Sequence, residues 1–174
     1  MVHRRQKKIP PGLIAAALIL LAAIAAIVYY LSAPRQEQRA TIKIYLTKGD
    51  RLVEVERPLV AKAPPLNSAM DALLSGPTEA EKAAGITTLI PTGARVLHQR
   101  VRDGVAIIDF NPKLENYGGG SARVEAMIAQ IVYTATAVPG VEKAWIWVEG
   151  KKEIVLGGEG LVLDKPLGRS DLGR

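Results

Sequence analysis

Histidine occurs at two positions in this chain, His3 and His98, and cysteine at none. A zinc site or a nucleophile-histidine-acid relay needs imidazole or thiolate groups converging from several elements. One histidine outside the basic N-terminal stub gives such chemistry little to build on, and His98 shares an alternating strand face with Val96 and Arg100, where a surface role is expected. Asp103 is explained by a turn. Asp109 lies in Val105 to Phe110 (VAIIDF) and alternates with Ile107 toward one face. A buried carboxylate needs partners or stays protonated, so Asp109 is read as a strand-end acid capping the loop near Asn111. Gly118-Gly119-Gly120 precedes a helical pattern, and helix N-termini attract anions. Neither the Gly-Lys-Ser/Thr of a P-loop nor a dinucleotide fingerprint accompanies it. The residues therefore predict no catalytic, cofactor-binding or metal-ligating set.

Contact chemistry is better represented. Trp145 and Trp147 are two apart in a strand pattern and project to one face, while Ala144, Ile146 and Val148 take the other. Tryptophan is enriched where interfaces concentrate their binding energy. The candidate interaction surface is accordingly Val141, Lys143, Trp145 and Trp147. The competing arrangement has the Glu153 to Leu163 segment folding over both indoles as a second layer.

The elements that must position these residues are legible from periodicity. Ile42, Ile44 and Leu46 alternate with Lys43 and Tyr45 as a half-buried strand, which pairs with Leu52 to Arg57 across Gly49-Asp50. Leu66, Ala69, Met70, Leu73 and Leu74 recur at helical spacing to about Ser75, with Asn67 or Ser68 able to cap the start and Gly76-Pro77 as the stop. Thr78 and Glu81 have the spacing of a capping box for a short helical turn that closes at Gly85. Ala94 to Arg102 and Val105 to Phe110 flank Asp103-Gly104, the signal for an antiparallel hairpin with a type I′ turn. Val124, Met127, Ile128, Ile131, Val132, Ala135 and Val138 trace one face of a second helix, ended by Pro139-Gly140. Val141 to Val148 is a strand, followed by a weaker strand pattern to Leu163. The order predicts an α+β domain with a small antiparallel or mixed sheet packed against two helices.

Several of these segments together resemble the GerMN domain family of sporulation and germination proteins. The resemblance rests on Leu73 to Thr78 (LLSGPT), the Glu81 to Gly85 step, Ile90-Pro91-x-Gly93, Val101 to Phe110, Tyr133 to Val141 (YTATAVPGV), Glu149-Gly150, and Pro166-Leu167 with Arg169. It covers roughly residues 41 to 172. The resemblance implies an architecture similar to the ring-building motifs of secretion systems. It also implies a non-catalytic part in forming or stabilising a ring or transenvelope complex, by homo-oligomer contacts or contacts with other envelope proteins. The alternative is a monomeric extracytoplasmic module that binds an envelope protein or peptidoglycan. The family's namesake carries such domains in tandem; this chain has one.

The N-terminal region has another task. Leu13 to Leu31 is a stretch of nineteen residues without a charge, enough at about 1.5 Å per residue to cross a hydrocarbon core of roughly 30 Å. Tyr29 and Tyr30 stand near its far end, and Arg4, Arg5, Lys7 and Lys8 precede it, so the positive-inside bias predicts a cytoplasmic N-terminus. A cleaved signal peptide has a shorter apolar region and a small-x-small site; here Leu31 and Pro34 flank the candidate cut at Ala33 unfavourably. The expected organisation is a basic stub (1–12), a transmembrane signal anchor (13–31), a tether (32–40) and one extracytoplasmic domain (41–172) at the cell membrane. Four of the 23 Lys and Arg precede the anchor, which leaves 19 against 17 Asp and Glu and a balance of +2. That near-balance predicts no nucleic-acid partner.

Overall fold

Residues 20–29, 40–156 and 161–172 are described by the computed structural model, and the chain divides into two compact units, 1–38 and 39–174. In the first, residues 20–29 form a helix, α1, whose Leu20, Leu21, Ile24, Ile27 and Val28 are all exposed. Among the described residues no helix is long and apolar enough to cross a membrane. The basic stub with His3, residues 13–19 and 30–31 of the expected anchor, and nearly all of the tether lie outside the described residues.

In the second unit, strand β1 (Thr41–Lys48) buries Ile42, Ile44 and Leu46 and pairs antiparallel along its whole length with β2 (Arg51–Pro58). Helix α2 (Pro65–Ser75) buries Leu66, Ala69, Met70 and Leu73. Its start differs from expectation. Pro64 occupies the N-cap and Pro65 the first turn, with no side-chain cap, because a preset φ and a missing N–H suit that position without help from Asn67 or Ser68. Helix α3 (Glu79–Ala83) opens with the expected capping box: the Thr78 N–H donates to Glu81 Oε2 at 2.8 Å and the Glu81 N–H to Thr78 Oγ1 at 3.3 Å. The short β3 (Ile86–Thr87) then adds to the other edge of β1 at Thr47 and Lys48.

Strands β4 (Val96–Arg102) and β5 (Val105–Phe110) form the expected antiparallel hairpin. Asp103 and Gly104 have φ of 50° and 76°, the left-handed pair a type I′ turn requires. Helix α4 (Ser121–Ala135) carries the chain across to β6 (Lys143–Val148), which runs parallel to β5. Two short strands, β7 (Ile154–Leu156) and β8 (Leu161–Leu163), pair with each other.

The strands separate into two three-stranded sheets, ordered β2-β1-β3 and β4-β5-β6, and a two-stranded ribbon. A single sheet was expected. Both long helices pack on β1, while α2 also meets β4 and α4 also meets β6. The helix pair thus supplies an apolar surface to each sheet, so the strands need no common ladder to share one core. That core runs from Ile42 through Met70, Phe110, Met127, Ile131 and Ile146 to Leu167.

Two polar side chains within it were not anticipated. Gln130 and Thr134 are fully buried one turn apart on α4. The Tyr45 N–H donates to Thr134 Oγ1 at 2.9 Å, and Gln130 Nε2 donates to the Tyr45 carbonyl at 3.1 Å. Gln130 Oε1 also accepts from the Leu89 N–H at 2.8 Å. Since β3 reaches β1 only at Thr47 and Lys48, these side chains satisfy backbone groups of β1 that would otherwise be stranded in the core.

Candidate functional site

The β4-β5-β6 sheet has two unlike faces. Ala106, Ile108, Phe110, Ala144, Ile146 and Val148 all lie in the core. On the reverse, Arg100, Ile107 and Trp145 stand in register across the three strands, and His98, Asp109 and Trp147 form the next row. This reverse face is the candidate site. Along β6 the burial alternates strictly, which is how Lys143 comes to be exposed and both tryptophans half-buried. Val141 does not join them. It is 6% exposed and belongs to the core, because it precedes β6 and the alternation of that strand does not extend back to it.

The two indoles meet edge to face with centroids 5.3 Å apart, within the separations aromatic pairs prefer. Cations flank Trp147: the Arg100 guanidinium lies 5.7 Å from its centroid and the Lys152 ammonium 5.3 Å. Trp145 Nε1 donates to the Lys152 carbonyl at 3.2 Å. The ribbon that follows sends Ile154, Leu156 and Leu163 into the core, and both indoles keep intermediate exposure. A cavity of about 320 Å³ opens beside Trp147, lined also by His98, Gln99, Arg100, Ile107 and Asp109. The Trp147 indole nitrogen and the Gln99 side-chain oxygen are buried without a hydrogen-bond partner among the described residues.

Asp109 is buried in this face and has a different partner from the one expected. Its Oδ1 accepts from the Gly150 N–H at 2.9 Å, so it locks the Glu149-Gly150 turn after β6 and not the loop at Asn111. Parallel pairing of β5 with β6 brings that turn to Asp109, a neighbour that strand periodicity alone does not disclose. Asn111 secures its own loop, accepting from the Arg95 N–H at 3.0 Å and donating to the Gly93 carbonyl at 3.0 Å. His98 is exposed on the edge strand. Among the described residues no group of three His, Asp or Glu is placed to hold a metal.

A second constellation was only partly visible in sequence. The Arg169 guanidinium lies 4.9 Å from the Tyr133 centroid and 5.2 Å from that of Tyr45. It donates through Nε to Thr136 Oγ1 at 2.8 Å and through Nη2 to the Tyr133 carbonyl at 3.1 Å. Tyr45 donates in turn to Glu54 Oε2 at 2.7 Å. Burial raises the Tyr45 hydroxyl above its usual range and the Glu54 hydrogen bond adds to that, while the Arg169 charge acts the other way. Tyr133 and Arg169 lie in two of the segments that carry the family resemblance, and the fold joins them across α4.

Residues 23–154, more than half of the chain, match the Germane family, described as sporulation and spore germination. Among solved structures, the chain is similar to the first GerMN domain of the sporulation protein GerM from Bacillus subtilis, with a TM-score of 0.62, 19% identity, 76% of this chain covered and 99% of that one. Against the tandem GerMN domains of the same protein the TM-score, identity and coverage of this chain are the same, but only 47% of that chain is covered. The chain thus spans about half the length of the tandem structure. At this identity the likeness speaks for the fold alone. No curated protein sequence matches the chain.

Proposed function

We propose that this chain, which belongs to the Germane family of sporulation and spore germination domains, is a non-catalytic assembly component of the cell envelope. It is held at the membrane by residues 13–31 and acts outside the cytoplasm through the reverse face of the β4-β5-β6 sheet. The observation that carries this reading is the contrast between that sheet's two faces. One is apolar and packed along β5 and β6; the other places Trp145 and Trp147 at intermediate exposure among Arg100, Lys143 and Lys152. Aromatic and arginine side chains on a rigid sheet suit protein contact, since they bury large area with little loss of conformational freedom. The test is a Trp145→Ser/Trp147→Ser variant, expected to lose self-association or partner capture while its circular dichroism and melting temperature stay near those of the parent. A variant that folds and still assembles overturns the reading.

The cavity beside Trp147, with an unpartnered indole N–H and the Asp109 carboxylate in its lining, favours a second reading. In it the domain stays monomeric and binds an envelope protein or peptidoglycan. Light scattering separates the two, since only the second predicts a monomer at every concentration, and sedimentation with purified cell wall then tells peptidoglycan from a protein partner.

A further inference from the structure

The two three-stranded sheets each end in a strand with an unpaired edge, and the two edges are chemically opposite. Among the described residues β4 pairs only with β5, and β2 only with β1. On the outer face of β4, His98, Arg100 and Arg102 are exposed at every second position, with Arg102 also 3.3 Å from Asp103, while Val101, on the other face, is 47% exposed. On β2, Glu54 and Glu56 are exposed, with Val53 and Val55 half-buried between and beside them. Glu54 shares its charge with Lys43 at 2.7 Å. Arg57, the other cation near this end of β2, is turned away toward Glu81.

Exposed strand edges are templates for adding another strand, and proteins commonly block them with charge. Charge of one sign blocks only its like. Two β4 edges brought together would oppose arginines, and two β2 edges would oppose glutamates, arrangements that destabilise a cross-strand pair. A β4 edge against a β2 edge satisfies both. The two-residue spacing matches Arg100 and Arg102 to Glu54 and Glu56 in either strand direction. In either direction it also sets Val101 opposite Val55 on the other face.

We infer that the β4 edge of one copy pairs with the β2 edge of the next, joining the two sheets into one. This rests on the assembly reading above and deepens it by naming the partner, a second copy of this chain, and a contact along the strand edges that shares Arg100 with the tryptophan face. Because the paired edges differ, the contact is heterologous. Each copy has one edge to give and one to receive, so assembly continues past the dimer, to a closed ring or an open filament.

The chain has no cysteine, so an introduced pair reports a single contact. In the full-length, membrane-extracted protein, a Val55→Cys/Val101→Cys variant is expected to oxidise into a ladder of dimers, trimers and larger species. Either single variant is expected to stay monomeric. Adding Arg100→Glu and Arg102→Glu should collapse the ladder to monomer, and adding Glu54→Lys and Glu56→Lys as well should restore it, which a merely misfolded protein could not do. A double-cysteine variant that folds, by its melting curve, and stays monomeric overturns the proposal, as do dimers from one single variant or a failed restoration. If Trp145→Ser/Trp147→Ser leaves the ladder intact, the tryptophan-face reading fails and the edge contact stands. If that variant abolishes assembly and charge reversal does not, the edge contact fails alone.

Discussion

Arg169 ties three parts of the domain together from one side chain. It packs its guanidinium on rings from β1 and α4 and bonds the end of α4 at Thr136. Stacked, hydrogen-bonded arginines of this kind contribute more than a surface charge does. Arg169→Met keeps much of the stem but loses both ring contacts and both hydrogen bonds, and should lower stability by on the order of 1–2 kcal/mol in a denaturant melt. It should also raise the Tyr45 pKa further, readable by ultraviolet titration, because the cation that opposes the upward shift is gone. An unchanged melt would mean the guanidinium is no clamp. In sequence Arg169 stands out only as part of a family pattern, since its partner Tyr45 lies far away in the chain. The tryptophan pair was legible because strand alternation is a local property. Val141 was misplaced for the same reason: alternation was carried two residues beyond the strand that enforces it.

Elements with a local cause were readable, apart from the prolines that open α2, and strand partnerships with a tertiary cause were not. The β4-β5 hairpin needs only Asp103-Gly104, and Gly104 has φ of 76°. A β-branched side chain is strained there, so Gly104→Val should cost on the order of 1–2 kcal/mol; an unmoved thermal midpoint would contradict the turn assignment. The start of α3 is local too, but its anchor to β2 is not. Arg57 clasps Glu81 with both nitrogens, at 2.8 and 2.6 Å, with the two side chains 16% and 17% exposed. The Arg57 hydrogen bonds lead in lowering the Glu81 carboxyl from 4.5 to about 2. Because the folded value lies below the unfolded one, this stabilisation is fully present above about pH 4.5 and is lost as the pH falls through about 2. Glu81→Gln should therefore be less stable than the parent by on the order of 2 kcal/mol at neutral pH. The gap should narrow in melts run from pH 5 down to 2, and a gap independent of pH would contradict the linkage. Gln130 and Thr134 show the opposite case. As polar residues in a helical pattern they read as interruptions, and only the short reach of β3 along β1 explains why the core needs them.

For the molecule as a whole, sequence order indicated an α+β domain with two principal helices, whereas strand partnership depended on contacts between distant segments. Two sheets sharing a helix pair satisfy the same periodicities as one sheet would. The proposed attachment through residues 13–31 would confine copies near one surface and raise their effective concentration. Mass determination of the membrane-extracted protein should find residues 13–31 retained, and a mature N-terminus near Pro34 would refute the anchor. In the proposed function the domain works by assembling, and the tryptophan face takes part. Among the described residues the core lies within residues 39–174, so that segment can be studied alone. Light scattering over a concentration series should show its mass climbing above that of the monomer, with Trp145→Ser/Trp147→Ser holding at the monomer and melting as the parent does. A parent that remains monomeric at every concentration, or a folded double variant that assembles equally well, would contradict the account.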